Sequence, residues 1–254
     1  MNSPAPRPSV SWRRRICHFI LTDLPTTVQA EKKYVLWAHA LFFIPALCMI
    51  VWVGNTPSHF NYFADETVAR NTIVVLYQKI IEASLPEYLR MIAIHLNHIM
   101  ILSLQFIVGG FLFGIGTLAS LIHQGLYFGS MIGLFMHAPV SWLFVHDTFF
   151  RGGLELLSMM LAGAAGLRIG TTLLYGCMGK GDVKVGLSAA FTLFLGAAFF
   201  FGLTIPTSIV FYPLANAPLV LHTLFNLIFW VVCYAYVFWP RPPLHAHTAT
   251  DSDS

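Results

Sequence analysis

Residues 153–175 read GLELLSMMLAGAAGLRIGTTLLY, and this predominantly apolar stretch decides the fold. At a rise of about 1.5 Å per residue, it is long enough to cross a hydrocarbon core of about 30 Å. Small residues recur at every fourth position, at Ser158, Ala162, Gly166 and Gly170. Lipid gives helices no hydrophobic drive to pair, so small residues that allow close backbone approach favour packing. The stretch therefore predicts a membrane-spanning helix packed tightly against others.

The composition of the whole chain agrees with a membrane protein. Of its 254 residues 57% are hydrophobic and 10% charged, and the mean hydropathy is +0.70. Apolar stretches of about 20 residues predict about six spans. The predicted spans are 34–54, 94–118, 124–143, 153–175, 186–211 and 217–239. We predict an all-α fold, a polytopic membrane helical bundle with about six transmembrane helices and one amphipathic extracytoplasmic helix.

Basic residues predict the orientation of this bundle. The arm at residues 1–33 contains six of them: Arg7, Arg13, Arg14, Arg15, Lys32 and Lys33. Lys180 and Lys184 follow the fourth predicted span, and Arg241 follows the sixth. Because cytoplasmic loops are enriched in Lys and Arg, we expect both termini on the cytoplasmic side of a bacterial cytoplasmic (inner) membrane.

Three segments flank or interrupt the predicted transmembrane domain at 34–239. Residues 12–24 mix apolar side chains with arginines, which is typical either of a membrane-surface helix or of an ordinary basic flank. The extracytoplasmic loop at 55–91 includes an amphipathic helix at 65–84, which would dock a partner or cover the protein's own membrane core. The polar tail at 240–254 is expected to be disordered and cytoplasmic.

Glycine spacing predicts which spans pack together. Fourteen of the nineteen glycines lie between residues 91 and 180. This pattern favours a core made of the second, third and fourth spans, with the first, fifth and sixth facing lipid. The residues predicted to make the helix contacts are Gly110, Gly114, Gly129, Gly133, Ala162, Gly166 and Gly170.

Glu155 is the most informative polar residue of the membrane domain. Only seven charged side chains occur between residues 91 and 239, and charge at membrane depth is costly. Arg151 precedes Glu155 by one helical turn, and Ser158 follows it on the same face. Other polar residues are predicted at the same outer level: His95, Asn97 and His98. This cluster is either a structural ion pair that closes the bundle or the lining of a polar cavity.

Other polar features of the sequence point away from enzyme chemistry. Arg168 is predicted at the opposite end of the fourth span, with its side chain reaching the cytoplasmic headgroups. His95 and His98 have a spacing that can chelate a metal, but no ligand motif accompanies them. We predict a protein that is not an enzyme, with no catalytic residue, no metal and no cofactor. No basic stripe of the kind that binds nucleic acid is present.

Several short motifs occur in a fixed order between residues 96 and 174. They are Asn97, Gln105-Phe-x-x-Gly109, Gly114-Ile-Gly-Thr117, Gln124-Gly125 with Gly129, and Gly152-x-Leu154-Glu155 running into Ala162-Gly-Ala-Ala-Gly166-Leu. This core resembles the stage II sporulation protein M family of integral membrane proteins. The resemblance implies an all-helical membrane domain. In sporulating bacteria it further implies a role in engulfment, holding peptidoglycan-degrading partners at the septal membrane.

In that family a histidine usually stands where this chain has Arg151, and the replacement favours a structural ion pair with Glu155. Two functions remain open from the sequence, beside a less favoured third, an intramembrane metal-dependent hydrolase that uses His95, His98 and Glu155. The first is a non-enzymatic scaffold that recruits or positions partner proteins. The alternative is a permease or channel-like subunit with a polar outer cavity around Glu155. The expected partners are membrane lipids and other membrane or envelope proteins but no nucleic acid. The sequence leaves open whether the chain forms a homo-oligomer.

Overall fold

The computed structural model describes residues 12–55, 84–135, 153–211 and 219–239, and within these ranges the chain forms helices and turns without strands. The prediction of an all-α fold is therefore confirmed. The predicted helix at 65–84, apart from Ser84, and the tail at 240–254 lie outside the described residues. The helices are α1 (Trp12–His18), a π-helical stretch (Phe19–Asp23), α2 (Leu24–Ala30), α3 (Lys32–Asn55), α4 (Leu85–Phe111), α5 (Ile115–Phe135), α6 (Gly153–Cys177), α7 (Val183–Phe211) and α8 (Leu219–Phe238).

Three of the described helices are long and apolar enough to cross a membrane, namely α3, α6 and α7. Shorter apolar segments occur in α4, at Leu96–Phe111, and in α8, at Leu227–Phe238. These features agree with an all-α membrane helical bundle.

The boundary between the second and third predicted spans is wrong. The predicted span at 94–118 is divided by a turn, since α4 ends at Phe111 and α5 begins at Ile115. Two residues of this turn have left-handed backbones, Phe113 with φ 53° and Gly114 with φ +83°. Glycine adopts this conformation without a steric penalty. The turn is itself apolar, so hydropathy does not reveal it, and the third helix begins earlier than position 124.

Helix α6 is the centre of the bundle. In its most apolar window 78% of the residues are buried, compared with 22% in α3 and 33% in α7. It packs against α3, α4, α7 and α8, and its extensive contacts with α7 and α4 bury small and large side chains alike. The apolar stretch at 153–175 is thus surrounded by other helices.

The first and fifth predicted spans do not simply face lipid, and this corrects the expected core, since α7 of the fifth span makes extensive contacts with α6. Helix α3 makes one of the most extensive contacts of the bundle with α5. Gly125 and Gly129 of α5 lie so close to the α3 backbone that an added Cβ would overlap the carbonyl oxygens of Phe42 and Ala46. A glycine spacing shows that a helix can be approached closely, but it does not say which helix approaches it.

Glu87 caps α4 ahead of its apolar segment and makes this helix end sensitive to pH. The Ser84 hydroxyl donates a hydrogen bond to the Glu87 carboxylate at 2.7 Å, and the Ser84 N–H donates another at 3.0 Å. These bonds, chiefly that of the hydroxyl, hold the pKa of Glu87 below its ordinary value of 4.5. Because the pKa of Glu87 is lower in the folded state than in the unfolded state, the charged carboxylate stabilises the helix end at pH values above its ordinary pKa. This stabilisation is lost as the pH falls through the lowered pKa.

We therefore expect Glu87→Ala to speed hydrogen exchange of the first amides of α4 near neutral pH. The difference between the variant and the natural protein should shrink as the pH is lowered through the range in which Glu87 is protonated. Hydrogen exchange followed by mass spectrometry measures this difference once both proteins are corrected for intrinsic exchange. A difference that stays constant over the whole pH range would contradict a role for the charged carboxylate.

Candidate functional site

Two described members of the predicted outer cluster, Glu155 and Ser158, lie at the start of α6. Glu155 is half-buried in the first turn, where the positive end of the helix dipole favours a carboxylate. Its predicted neighbour Ser158 is buried, and its hydroxyl donates to the carbonyl oxygen of Ala197 at 2.8 Å. Ser158 therefore joins α6 to α7. Arg151 lies outside the described residues.

The polar residues of α4 are placed differently from Glu155. Asn97 and His98 are exposed, whereas Leu96 and Ile99 are buried on the side of α4 that faces the bundle. The structure does not describe the side chain of His95. Asn97 and His98 thus occupy the side of α4 that the bundle leaves uncovered, and this placement gives no support to an outer cavity that they line with Glu155.

At the opposite end of α6 the structure reveals an ion pair that the sequence analysis missed. Arg168 Nε donates to Glu31 Oε1 at 3.0 Å, and the two side chains are only 19% and 11% exposed. The prediction that Arg168 reaches outward to the headgroups is wrong. Glu31, at the start of α3, supplies a carboxylate within the bundle, and charges removed from water favour such a partner.

Tyr34 extends this ion pair into a network between α3 and α6. Its hydroxyl accepts hydrogen bonds from Thr171 at 2.8 Å and from Arg168 at 3.4 Å. The Arg168 guanidinium lies 5.4 Å from the centre of the Tyr34 ring, within the range of a cation–π contact. Arg168 is thus held by both the charge of Glu31 and the ring of Tyr34, and we call Glu31, Tyr34, Arg168 and Thr171 the inner network.

A signal for the inner network was present in the sequence. Glu31 and Asp23 are the acidic residues of the arm at 1–33, and only Lys32 and Lys33 separate Glu31 from the first predicted span. The predicted topology puts the end of the fourth span, with Arg168, at the same cytoplasmic level. A search for oppositely charged residues at equal membrane depth would have found the pair.

The part of the arm between α1 and α3 is docked onto the bundle next to the inner network. Leu24 is fully buried and lies against Gly196 of α7. Gln29 Nε2 donates to the carbonyl oxygen of Phe238 at 2.6 Å, and the Tyr236 hydroxyl donates to the carbonyl oxygen of Ile20. The arm is therefore held by apolar contacts and hydrogen bonds to α7 and α8.

His39 makes a further polar contact between α3 and α8. Its Nδ1 lies 2.7 Å from the carbonyl oxygen of Val35, and its Nε2 lies 3.1 Å from the hydroxyl of Tyr234. Since a carbonyl only accepts, Nδ1 carries a proton, and in a neutral ring Nε2 accepts from Tyr234. This arrangement satisfies the polar groups of His39 and joins two helices.

The described polar groups act chiefly as connections between helices. No three His, Cys, Asp or Glu side chains lie together as a metal-ligand set in the part of the chain that the structure describes. Instead, Ser158, Thr171 and His39 each bond a group on a neighbouring helix. This chemistry positions helices and holds the arm.

Comparison with protein families identifies a match. The family model described as "Stage II sporulation protein M" matches residues 38–211, which is more than half of the chain and includes α4, α5 and α6. Comparison with curated proteins and with solved structures gives no match. The inner network crosses the edge of the matched region, because Arg168 lies inside it and Glu31 lies before it.

Proposed function

Because the chain belongs to the stage II sporulation protein M family, we propose that it is a non-enzymatic scaffold that recruits or positions partner proteins. Its place would be the bacterial cytoplasmic membrane, with several spans and with both termini in the cytoplasm. The observation that carries this proposal is the close packing of α6, whose backbone touches its neighbours. A platform for partners benefits from a bundle that keeps one shape.

The glycine contacts of α6 favour a fixed bundle. A Cβ added at Gly110 would lie 2.6 Å from the carbonyl oxygen of Gly166, and one added at Gly170 would overlap the backbone of Gly114. From Gly166 to Gly170, one turn of α6 therefore meets the backbone of α4 and of the turn that follows α4. Transport by alternating access needs elements that move against each other around a site, and such close contacts oppose that movement.

The interior of α6 also supports a scaffold over a permease. The stretch of α6 from Leu156 to Gly166 is apolar except for Ser158, and the Ser158 side chain is buried and bonded to the α7 backbone. A polar route along this helix would need groups that are free to bind a solute or a proton. We therefore place partner recognition outside the membrane core, in the segment that joins α3 to α4.

We expect deletion of residues 61–83 to abolish the capture of envelope partners without unfolding the bundle. In cells, chemical cross-linking followed by quantitative mass spectrometry compares the full chain, this deletion, and a control deletion of residues 241–254. The control should retain the partners, and the thermal midpoint of both purified deletions should match that of the full chain. The physical reason is that the sequence predicts an apolar helix face in this segment, and such a face can dock a partner.

Equal recovery of partners from the full chain and from the 61–83 deletion would contradict this location. The scaffold proposal itself would fail if the full chain captured no partner above the background of an unrelated membrane protein. A solute flux through reconstituted vesicles that disappears in Glu155→Gln would instead favour the permease.

A further inference from the structure

Helix α1 presents exposed apolar and basic side chains on the cytoplasmic arm. Trp12 is 68% exposed and Ile16 is 45% exposed, although both are large apolar residues. Arg13, Arg14 and Arg15, between them in sequence, are exposed as well. Exposed apolar residues next to arginines are typical of a helix that lies in the interface of a membrane.

The helical geometry separates these side chains as an interface requires. At 100° per residue, Trp12 and Ile16 lie on one side of α1, within about 40° of each other. Arg13 and Arg15 flank this side, so their guanidinium groups can reach headgroups while Trp12 and Ile16 enter the boundary of the acyl chains. The apolar side and its two flanking arginines therefore fit one surface at the same time.

No carboxylate in the described ranges neutralises these arginines. Asp23, in the π-helical stretch, is bonded to His18 at 3.1 Å. Glu31, the other acid of the arm, is bonded to Arg168. The positive charge of α1 is therefore left for a negative partner outside the described chain.

The position of the arm brings this surface to the bilayer. Directly after α1, Ile20 is bonded to Tyr236 of α8, and Leu24 is buried against α7. Helix α3, which is long enough to span the membrane, then begins at Lys32. Because the chain between α1 and α3 is docked on the bundle, α1 is held near the end of the membrane-spanning helices.

We propose that α1 binds anionic phospholipids of the bilayer that contains the bundle. Trp12 and Ile16 enter the interface, and Arg13 and Arg15, which flank them, bind the negatively charged headgroups. The charge and the apolar side favour lipid over an acidic peptide, since a peptide would leave the tryptophan without an apolar partner. This proposal is independent of the scaffold function, because lipid binding needs no partner protein.

The test uses the full chain in nanodiscs of phosphatidylcholine, with or without about one third phosphatidylglycerol. Anionic lipid should slow hydrogen exchange of the amides of residues 13–20 by about fivefold or more, given the usual attraction of each basic residue to an anionic surface. The effect should weaken in high salt, which screens exposed charges. Both leaflets of a nanodisc have the same composition, so the result does not depend on the orientation of the bundle.

Matched double variants identify the side chains that are responsible. Arg13→Gln with Arg15→Gln should remove the slowing by anionic lipid, whereas Lys180→Gln with Lys184→Gln, which also changes two exposed cations, should retain it. Trp12→Ala should reduce it. The proposal is overturned if anionic lipid has no effect on the natural protein, if the arginine variant retains the effect, or if the lysine variant loses it equally.

Discussion

Replacing Gly166 by alanine is expected to lower the thermal midpoint of the protein in detergent by about 6–12 °C. The added methyl would overlap the carbonyl oxygen of Phe106 and lie 2.6 Å from the Thr117 hydroxyl. These two groups are bonded to each other at 2.6 Å, so neither moves without losing that bond. Overpacking of this kind costs about 3 kcal/mol, and each kcal/mol shifts the midpoint of a chain of this size by about 2–4 °C.

Gly202→Ala is the matched control for this substitution. Gly202 also lies inside a helix, α7, but an added Cβ there would meet no atom within 4 Å. Alanine is the better helix former by about 1 kcal/mol, so this variant should keep or slightly raise the midpoint. If both variants shifted the midpoint equally, the contact of α4, α5 and α6 at Gly166 would not be the tight point of the bundle.

The second large effect is expected at the inner network, where Arg168→Met should destabilise the protein by about 2–4 kcal/mol. Removal of one partner of a buried ion pair leaves the other charge without compensation, which costs about 3–5 kcal/mol. The slight exposure of both side chains reduces this value here. Glu31 would lose its guanidinium partner, and the Tyr34 ring and hydroxyl would lose their contacts with Arg168. Denaturant unfolding in detergent, followed by circular dichroism, measures the change.

A double-mutant cycle separates the ion pair from the other contacts of the arm. Glu31→Gln added to Arg168→Met should recover much of the loss, because it removes the uncompensated carboxylate. Lys184→Met, at an exposed lysine, serves as the control and should change the unfolding free energy by no more than about 0.5 kcal/mol. If Arg168→Met cost no more than this control, apolar contacts such as that of Leu24 would alone hold the arm.

Much of the fold followed from local patterns. The apolar lengths of α3, α6 and α7 were visible in the sequence, and the small residues of α6 showed that this helix accepts close neighbours. The division between α4 and α5 was not visible, because the turn at residues 112–114 is as apolar as the helices that it joins. There the left-handed backbones of Phe113 and Gly114 decide the boundary, and hydropathy does not respond to backbone angles.

The candidate site was predicted less well than the fold. Glu155 was correctly expected at the start of α6, but Ser158 bonds the backbone of α7. Asn97 was grouped with Glu155 because both lie at the same expected depth. The exposure of Asn97 depends on how α4 is rotated about its axis, and depth alone does not determine that rotation.

The sequence by itself determined that this chain is an all-α membrane bundle with a small-residue helix suited to its centre. Apolar length and residue spacing are properties of one segment, and they favour membrane insertion and close helix packing whichever helices lie beside it. Only the tertiary structure decided that α3 packs on the glycines of α5, and that Arg168 is paired with Glu31, 137 residues away. Such pairings depend on which helices lie side by side and how each is rotated, and no single segment contains that information.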